Sequence, residues 1–226
     1  MEEYISEDWK IANGVNISVI QGRFGEIEPS RLQCDCIVSP ANSYGIMDGG
    51  FDLELSRIFK GASGDEWTLT NHCQDLIRQK SRGYLPPGSC LIAPLPEDVS
   101  GPTRNPYNAH ALAIVPTMRR PEDVSWNRDL VYDAMWALLN EVALWNERFG
   151  SAAGSIGVQR IKRVLMTGLG TGTGAVPARR CARQMILAVM HFFEGVPERP
   201  RWDSVGPRNE EIGSTYLSLT ELNYVK

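Results

Sequence analysis

Two stretches of this chain share one arrangement: a short apolar run, a glycine-bearing loop, then a helical pattern. The first is residues 38–52, "VSPANSYGIMDGGFD", and the second is residues 168–177, "GLGTGTGAVP", directly after "IKRVLMT". Runs that are apolar at every position suit strands buried on both faces, and such strands belong to parallel or mixed sheets covered by helices. In those sheets, ligands bind beyond the carboxyl ends of the strands, in a crevice between loops. The two loops therefore predict one pocket between them. Glycine lets backbone N–H groups approach an anion closely, and a helix N-terminus just beyond adds a favourable dipole. A phosphate-bearing ligand is the expected occupant.

The remaining pattern fits this frame. "VNISVI" alternates Val15, Ile17 and Val19 with polar residues, the period of a half-buried strand, while "CDCIVSP", "GSCLIAPL", "HALAIVPTM" and "IKRVLMTGL" read as buried strands. "FDLELSRIFKG" and "GDEWTLTNHCQDLIRQKSRG" read as helices ended by Gly61 and Gly83, with Asp65 near the start of the second. A longer helix is predicted over residues 126–149, with Val131, Ala134, Met135, Leu138, Val142 and Trp145 on one face. Pro177 suits the first turn of another, whose apolar face would carry Ala178, Cys181, Ala182, Met185, Ile186, Val189, Met190 and Phe193. The expectation is a three-layer α/β/α sandwich around a central mixed, mostly parallel sheet, formed by residues 15–194. Residues 1–14 read as an N-terminal arm and residues 195–226 as a C-terminal extension docked on the domain. Within that extension "GVPERPRWDSVGPRNEE" reads as a linker, and "STYLSLTELNYV" as a strand or turn that docks back.

With 226 residues the chain can bury a full core, and its net charge of -4 argues against a partner held by a basic field, such as nucleic acid. The five cysteines are odd in number and lie in apolar runs, which predicts reduced thiols in a cytoplasmic or nuclear protein. Cys34 and Cys36 have no histidine or second pair nearby, so no metal is expected. The acidic N-terminus does not read as a signal peptide, and no window approaches the roughly 18 apolar residues of a membrane span.

In the second loop, Gly168, Gly170, Gly172 and Gly174 alternate with other residues, and Thr171 and Thr173 add hydroxyl donors. A Walker loop would require Lys and then Ser or Thr after the last glycine, where this chain has Ala175 and Val176. A dinucleotide fingerprint can be written with Gly170, Gly172 and Ala175, but no strand with a ribose-binding acid follows. A G-x-S-x-G elbow is absent. In the first loop Asn42 offers an amide for a ribose hydroxyl, and Gly49 and Gly50 offer a second close backbone approach. Asp48 and Asp52 could bind hydroxyls or orient a water, and Asp52 could equally cap the helix that follows.

Taken together, "ANS…GGFD" before one helix and "GLGTGTGA" before a later one resemble the loops of a macro domain, the ADP-ribose-binding module. The wording is similar to a divergent macro-like subgroup carrying S-P-A-N-S and G-L-G-T-G. The match falls at Ala41, Asn42, Gly49, Gly50, Phe51 and Asp52, and the resemblance spans roughly residues 15–194. It implies that the second loop wraps a diphosphate, that Asn42 contacts the distal ribose, and that Gly49, Gly50 and Phe51 lie against phosphate and ribose. No cofactor or metal is implied. The chain departs from the family at Arg23, where an adenine-binding Asp would stand, and at Ser39 and Asp48; either Glu26 substitutes for the missing acid or the adenine is held differently. These departures weigh against catalysis more than against binding.

Three functions follow. The chain is a monomeric reader of ADP-ribose or of ADP-ribosylated protein; or it is an ADP-ribosyl hydrolase in which Asp52 orients water with Asn42 at the reacting ribose; or it binds another nucleotide. An aromatic adenine platform is expected among Phe24, Tyr44, Tyr216 and Tyr224. His72, His110 and His191 read as structural.

Overall fold

In the computed structural model, residues 6–11, 14–99, 103–151 and 159–216 are described. Four strands form the central sheet: β3 (Cys36–Ser39), β4 (Leu91–Pro94), β5 (Ala111–Ile114) and β6 (Val164–Leu165). Their order is β4-β5-β3-β6. β3 lies parallel to both β5 and β6, and β4 runs antiparallel to β5 at the edge, so the sheet is mixed and mostly parallel. A separate antiparallel ribbon joins β1 (Ser6–Lys10) to β2 (Asn16–Ile20).

Successive strand residues point to opposite faces, and the core divides accordingly. Cys36, Val38, Ala111, Ala113 and Val115 face α3 (Leu130–Ser151) and α4 (Ala178–Glu194). Ile37, Leu112 and Ile114 face α1 (Gly50–Ile58) and α2 (Trp67–Ser81). Every residue of β3 and β5 is buried. The apolar runs at β3 and β5 thus mark strands covered on both faces, whereas those at β4 and β6, at the ends of the sheet, are partly exposed because each has one flank open; the architecture is the expected α/β/α sandwich.

Three local expectations change. α3 begins at Leu130 rather than at residue 126, because Asp123 turns the chain first: Ser125 N donates to Asp123 Oδ1 at 2.8 Å and Asn127 N to Val124 O at 2.9 Å. The face of α4 is also rotated. Met190 and Phe193 are exposed, whereas Gln184 and His191 are buried with distant partners. Gln184 Nε2 donates to Arg128 O and Thr215 Oγ1, and the His191 ring bridges Tyr132 Oη at 3.0 Å and Glu211 Oε2 at 2.8 Å.

The stretch read as a linker contains a helix, α5 (Trp202–Ser214), lying against α4. Ser204 closes a capping box with Arg201, Arg183 donates to Ser214 O at 3.0 Å, and Arg208 donates to Gly195 O at 2.8 Å. Those anchors, with Glu211 on His191, outweigh the disfavoured Pro207 inside the helix. Most of "STYLSLTELNYV", including Tyr224, lies outside the described residues.

Candidate ligand-binding crevice

Both glycine loops leave the carboxyl ends of adjacent parallel strands, loop 1 from β3 and loop 2 from β6. Loop 1 is tightly braced. Asn42 is buried, and its Oδ1 accepts from Tyr44 N at 3.0 Å and Ile46 N at 3.3 Å while Nδ2 donates to Ile46 O at 2.6 Å. Its amide therefore shapes the loop first, and one Nδ2 hydrogen remains for a ligand. Gly45 adopts φ +66°, and a Cβ there would lie 2.8 Å from Ile77 Cδ1, so only glycine lets the loop press on α2. Ser56 Oγ donates to Met47 O, and Met47 N donates to Thr70 Oγ1.

Asp52 lies in the first turn of α1, whose N-cap is Gly49, so Asp52 is not the cap. Its carboxylate is buried and accepts from Ser39 Oγ at 2.8 Å. Burial pushes its pKa up to about 7; the Ser39 hydrogen bond opposes that rise, and the Asp48 charge adds to it. Asp48 is exposed. The N-cap residues of α1 and α4, Gly49 and Pro177, make no side-chain cap bond, and among the described residues this leaves backbone N–H groups at both loop ends.

Loop 2 is anchored from within by buried Leu169 and Val176, leaving Thr171, Gly172 and Thr173 exposed. Val176 N donates to Gly170 O and Ala175 N to Gly172 O, and Thr171 Oγ1 donates to Gly168 O at 3.1 Å. A Cβ on Gly174 would lie 2.6 Å from Gly170 O, so that glycine serves the turn. Gly49, Gly50 and Gly172 differ: a Cβ on any of them meets nothing within 4 Å among the described residues. Their backbone faces open space, as close approach by a ligand requires. Ala41 is buried, and its carbonyl accepts from Thr117 N. Phe51 is half-buried with its ring 4.8 Å from that of Phe24.

A third wall has no counterpart in the local sequence signals. The connection from β5 to α3 meets loop 1 through the Asn42–Met118 bridge and Ser43 N donating to Met118 O, and it meets loop 2 through Val124 N donating to Gly174 O at 3.0 Å. Thr117 on this connection is 1% exposed; its hydroxyl has no hydrogen-bond partner among the described residues, and its Cβ lies 3.8 Å from where a Cβ on Gly170 would be. Thr117 thus sits beneath the crevice, a placement that motif reading missed. A polar residue directly after an apolar strand, beside two such loops, was its only signal.

Of the expected adenine platforms, Phe24 is packed on Phe51 and Tyr107, Tyr44 is exposed beside Tyr84, and Tyr216 has Arg128 over its ring and donates to Asp129. Arg23 and Glu26 are exposed and paired with each other at 3.5 Å. The three histidines hold structural contacts, His72 on Pro94 O, His110 on Gln159 O, and His191 as above. An open groove of about 420 Å³ lies elsewhere, between α4 and α5. Its walls are largely apolar, and its cation Arg183 is already bonded to Ser214, so it offers phosphate little. Among the described residues no cluster of three or more His, Cys, Asp or Glu could hold a metal, and no helix is long and apolar enough to cross a membrane.

The fold, a mixed sheet covered by helices on both faces with glycine loops leaving β3 and β6, is similar to that of solved macrodomains. No family model matches the chain, and no curated protein matches it in sequence. Solved structures do. The Oceanobacillus iheyensis macrodomain with ADP superposes with a TM-score of 0.58 at 13% identity, covering 95% of this chain and 98% of that one. A variant of that macrodomain with ADPR gives 0.54 at 13% identity over 94% and 99%. The macrodomain of Mycobacterium tuberculosis DarG gives 0.50 at 14% identity over 74% and 86%.

Proposed function

We propose that the crevice binds ADP-ribose or an ADP-ribosyl group, free or carried on a protein. The observation that carries this reading is the open backbone of Gly49, Gly50 and Gly172 on two loops of adjacent parallel strands, each feeding a helix with an uncapped N-terminus. Such a site offers N–H donors and dipole to a diphosphate without requiring a lysine or a metal. The likeness in fold to macrodomains solved with ADP and ADPR supports the choice of ligand. The assigned contacts are Ala41, Asn42, Gly49, Gly50, Phe51 and Asp52 from loop 1, and Gly168, Gly170, Thr171, Gly172 and Thr173 from loop 2, with Gly174 holding the turn. The protein acts as a monomer, and its five free thiols fit a reducing compartment, cytoplasm or nucleus.

Titration calorimetry with ADP-ribose tests the reading. Saturable heat is expected; absence of binding at millimolar ligand rejects it in favour of a different nucleotide.

A second reading, hydrolysis of the ADP-ribosyl linkage, draws on Asp52, a buried carboxyl whose pKa of about 7 suits proton exchange near neutrality. Asp52→Ala would then abolish turnover of an ADP-ribosylated substrate while keeping affinity within about tenfold. If wild-type protein turns nothing over, the chain is a reader.

A further inference from the structure

Among the described residues three buried side-chain polar atoms have no hydrogen-bond partner: Thr117 Oγ1, Arg180 Nε and Gln184 Oε1. Two of them belong to side chains bonded through other atoms, Arg180 through Nη2 to Ser125 O and Gln184 through Nε2 to Arg128 O and Thr215 Oγ1. Thr117 differs, because its single hydroxyl is all the polarity its side chain has. Burying that hydroxyl unpaired costs free energy that valine, of nearly the same shape, would not. Packing therefore gives no reason for a hydroxyl here, and such an orphan calls for a partner outside the fold.

The place of Thr117 says what that partner is. Its backbone N–H donates to Ala41 O of loop 1 at 2.9 Å, and its Cβ lies 3.8 Å from where a Cβ on Gly170 of loop 2 would stand. The residue is thus tied to one loop and abuts the other, beneath the crevice. The part of loop 2 that meets it is Gly170, bare backbone at φ +68°, with the Val176 side chain beside it. Neither supplies a side-chain acceptor. Asp52, the buried acid at the end of loop 1, accepts from Ser39 Oγ instead. A crevice rimmed with backbone N–H donors collects acceptor oxygens, and a hydroxyl below it adds one more donor of the same sense.

We propose that the Thr117 hydroxyl is a donor held in reserve for an oxygen of the bound ligand's phosphate groups, reached through one water or by a small shift of loop 2, so that Thr117 positions the diphosphate from below. This rests on the ligand proposed above, but not on which way round that ligand lies.

The test uses the full chain as wild type, Thr117→Val and Thr117→Ser, with thermal melts in the absence of ligand and calorimetric titration with ADP-ribose and with ADP, which carry the same diphosphate. Thr117→Val is expected to melt at or above the wild-type temperature, since it removes an unpaired buried hydroxyl, yet to bind both ligands about tenfold more weakly. Thr117→Ser keeps the hydroxyl and should bind within about threefold of wild type. A merely structural hydroxyl would give the reverse, a lower melting temperature with affinity unchanged. Thr117→Val melting below wild type, or binding ADP-ribose as well as wild type does, overturns the proposal while leaving ADP-ribose binding intact. A loss confined to ADP-ribose places the hydroxyl on the group that ADP lacks and overturns the phosphate assignment. Wild type that does not bind ADP-ribose overturns both this proposal and the reading it rests on.

Discussion

Ser39 Oγ donates to Asp52 Oδ1 at 2.8 Å, joining the last residue of β3 to the first turn of α1 beneath loop 1. A buried carboxyl with one neutral donor and a nearby acid keeps its proton well above the ordinary carboxylate range, up to about pH 7. The unfolded chain loses that proton near pH 4. Between these limits the folded state binds more protons, so this group's contribution to stability falls as pH rises, by at most about 1.4 kcal/mol per unit. Asp52→Asn should flatten that part of the stability profile, measured by urea denaturation from pH 4.5 to 8. Parallel profiles would mean that Asp52 is already ionised.

The glycines of loop 2 should divide into two kinds. Gly172→Glu places a side chain into open space and is expected to abolish ADP-ribose binding with little change in melting temperature. Gly174→Ala drives a Cβ towards Gly170 O and should cost about 1–3 kcal/mol of stability. Calorimetry and thermal melts on both variants separate the two roles, and a destabilised Gly172→Glu would contradict the assignment.

Asn42→Ala removes three hydrogen bonds that shape loop 1. Binding should weaken at least about tenfold, and the amides of Tyr44 and Ile46 should exchange faster by hydrogen–deuterium measurement. If their protection persists while binding is lost, Asn42 acts through direct ligand contact alone.

The His191 ring, clasped by Tyr132 and Glu211, ties α5 to the body of the domain. His191→Ala leaves the Tyr132 hydroxyl buried without its partner and should cost about 2–4 kcal/mol. Limited proteolysis should then cut within α5 sooner than in wild type. ADP-ribose affinity should hold, since neither loop touches this cluster.

How far the sequence discloses this molecule depends on the range of the interactions involved. The buried strands and both glycine loops were legible because each signal is local: apolar runs at β3 and β5, and glycines where backbone must be bare. The third wall was not legible because its placement depends on bonds between Met118 and loop 1 and between Val124 and Gly174, which leave no periodic trace. The α4 face was misjudged for the same reason, as Gln184 and His191 are buried only by virtue of Arg128, Thr215, Tyr132 and Glu211. α5 was obscured by Pro207 and its charges, although Ser204 offered a local capping signal.

The sheet itself treats the two loops unequally. β3 is flanked by strands on both sides and is matched to β5 over four residue pairs, whereas among the described residues β6 is a two-residue edge strand paired to β3 alone. Loop 1 is therefore a fixed jaw, bolted to the middle of the domain and to α2. Loop 2 is the compliant one, hung from a short edge and steadied chiefly by Val124 and its own two core anchors. Opening at that edge breaks few ladder bonds, so if the crevice widens, the second jaw gives while the first keeps register.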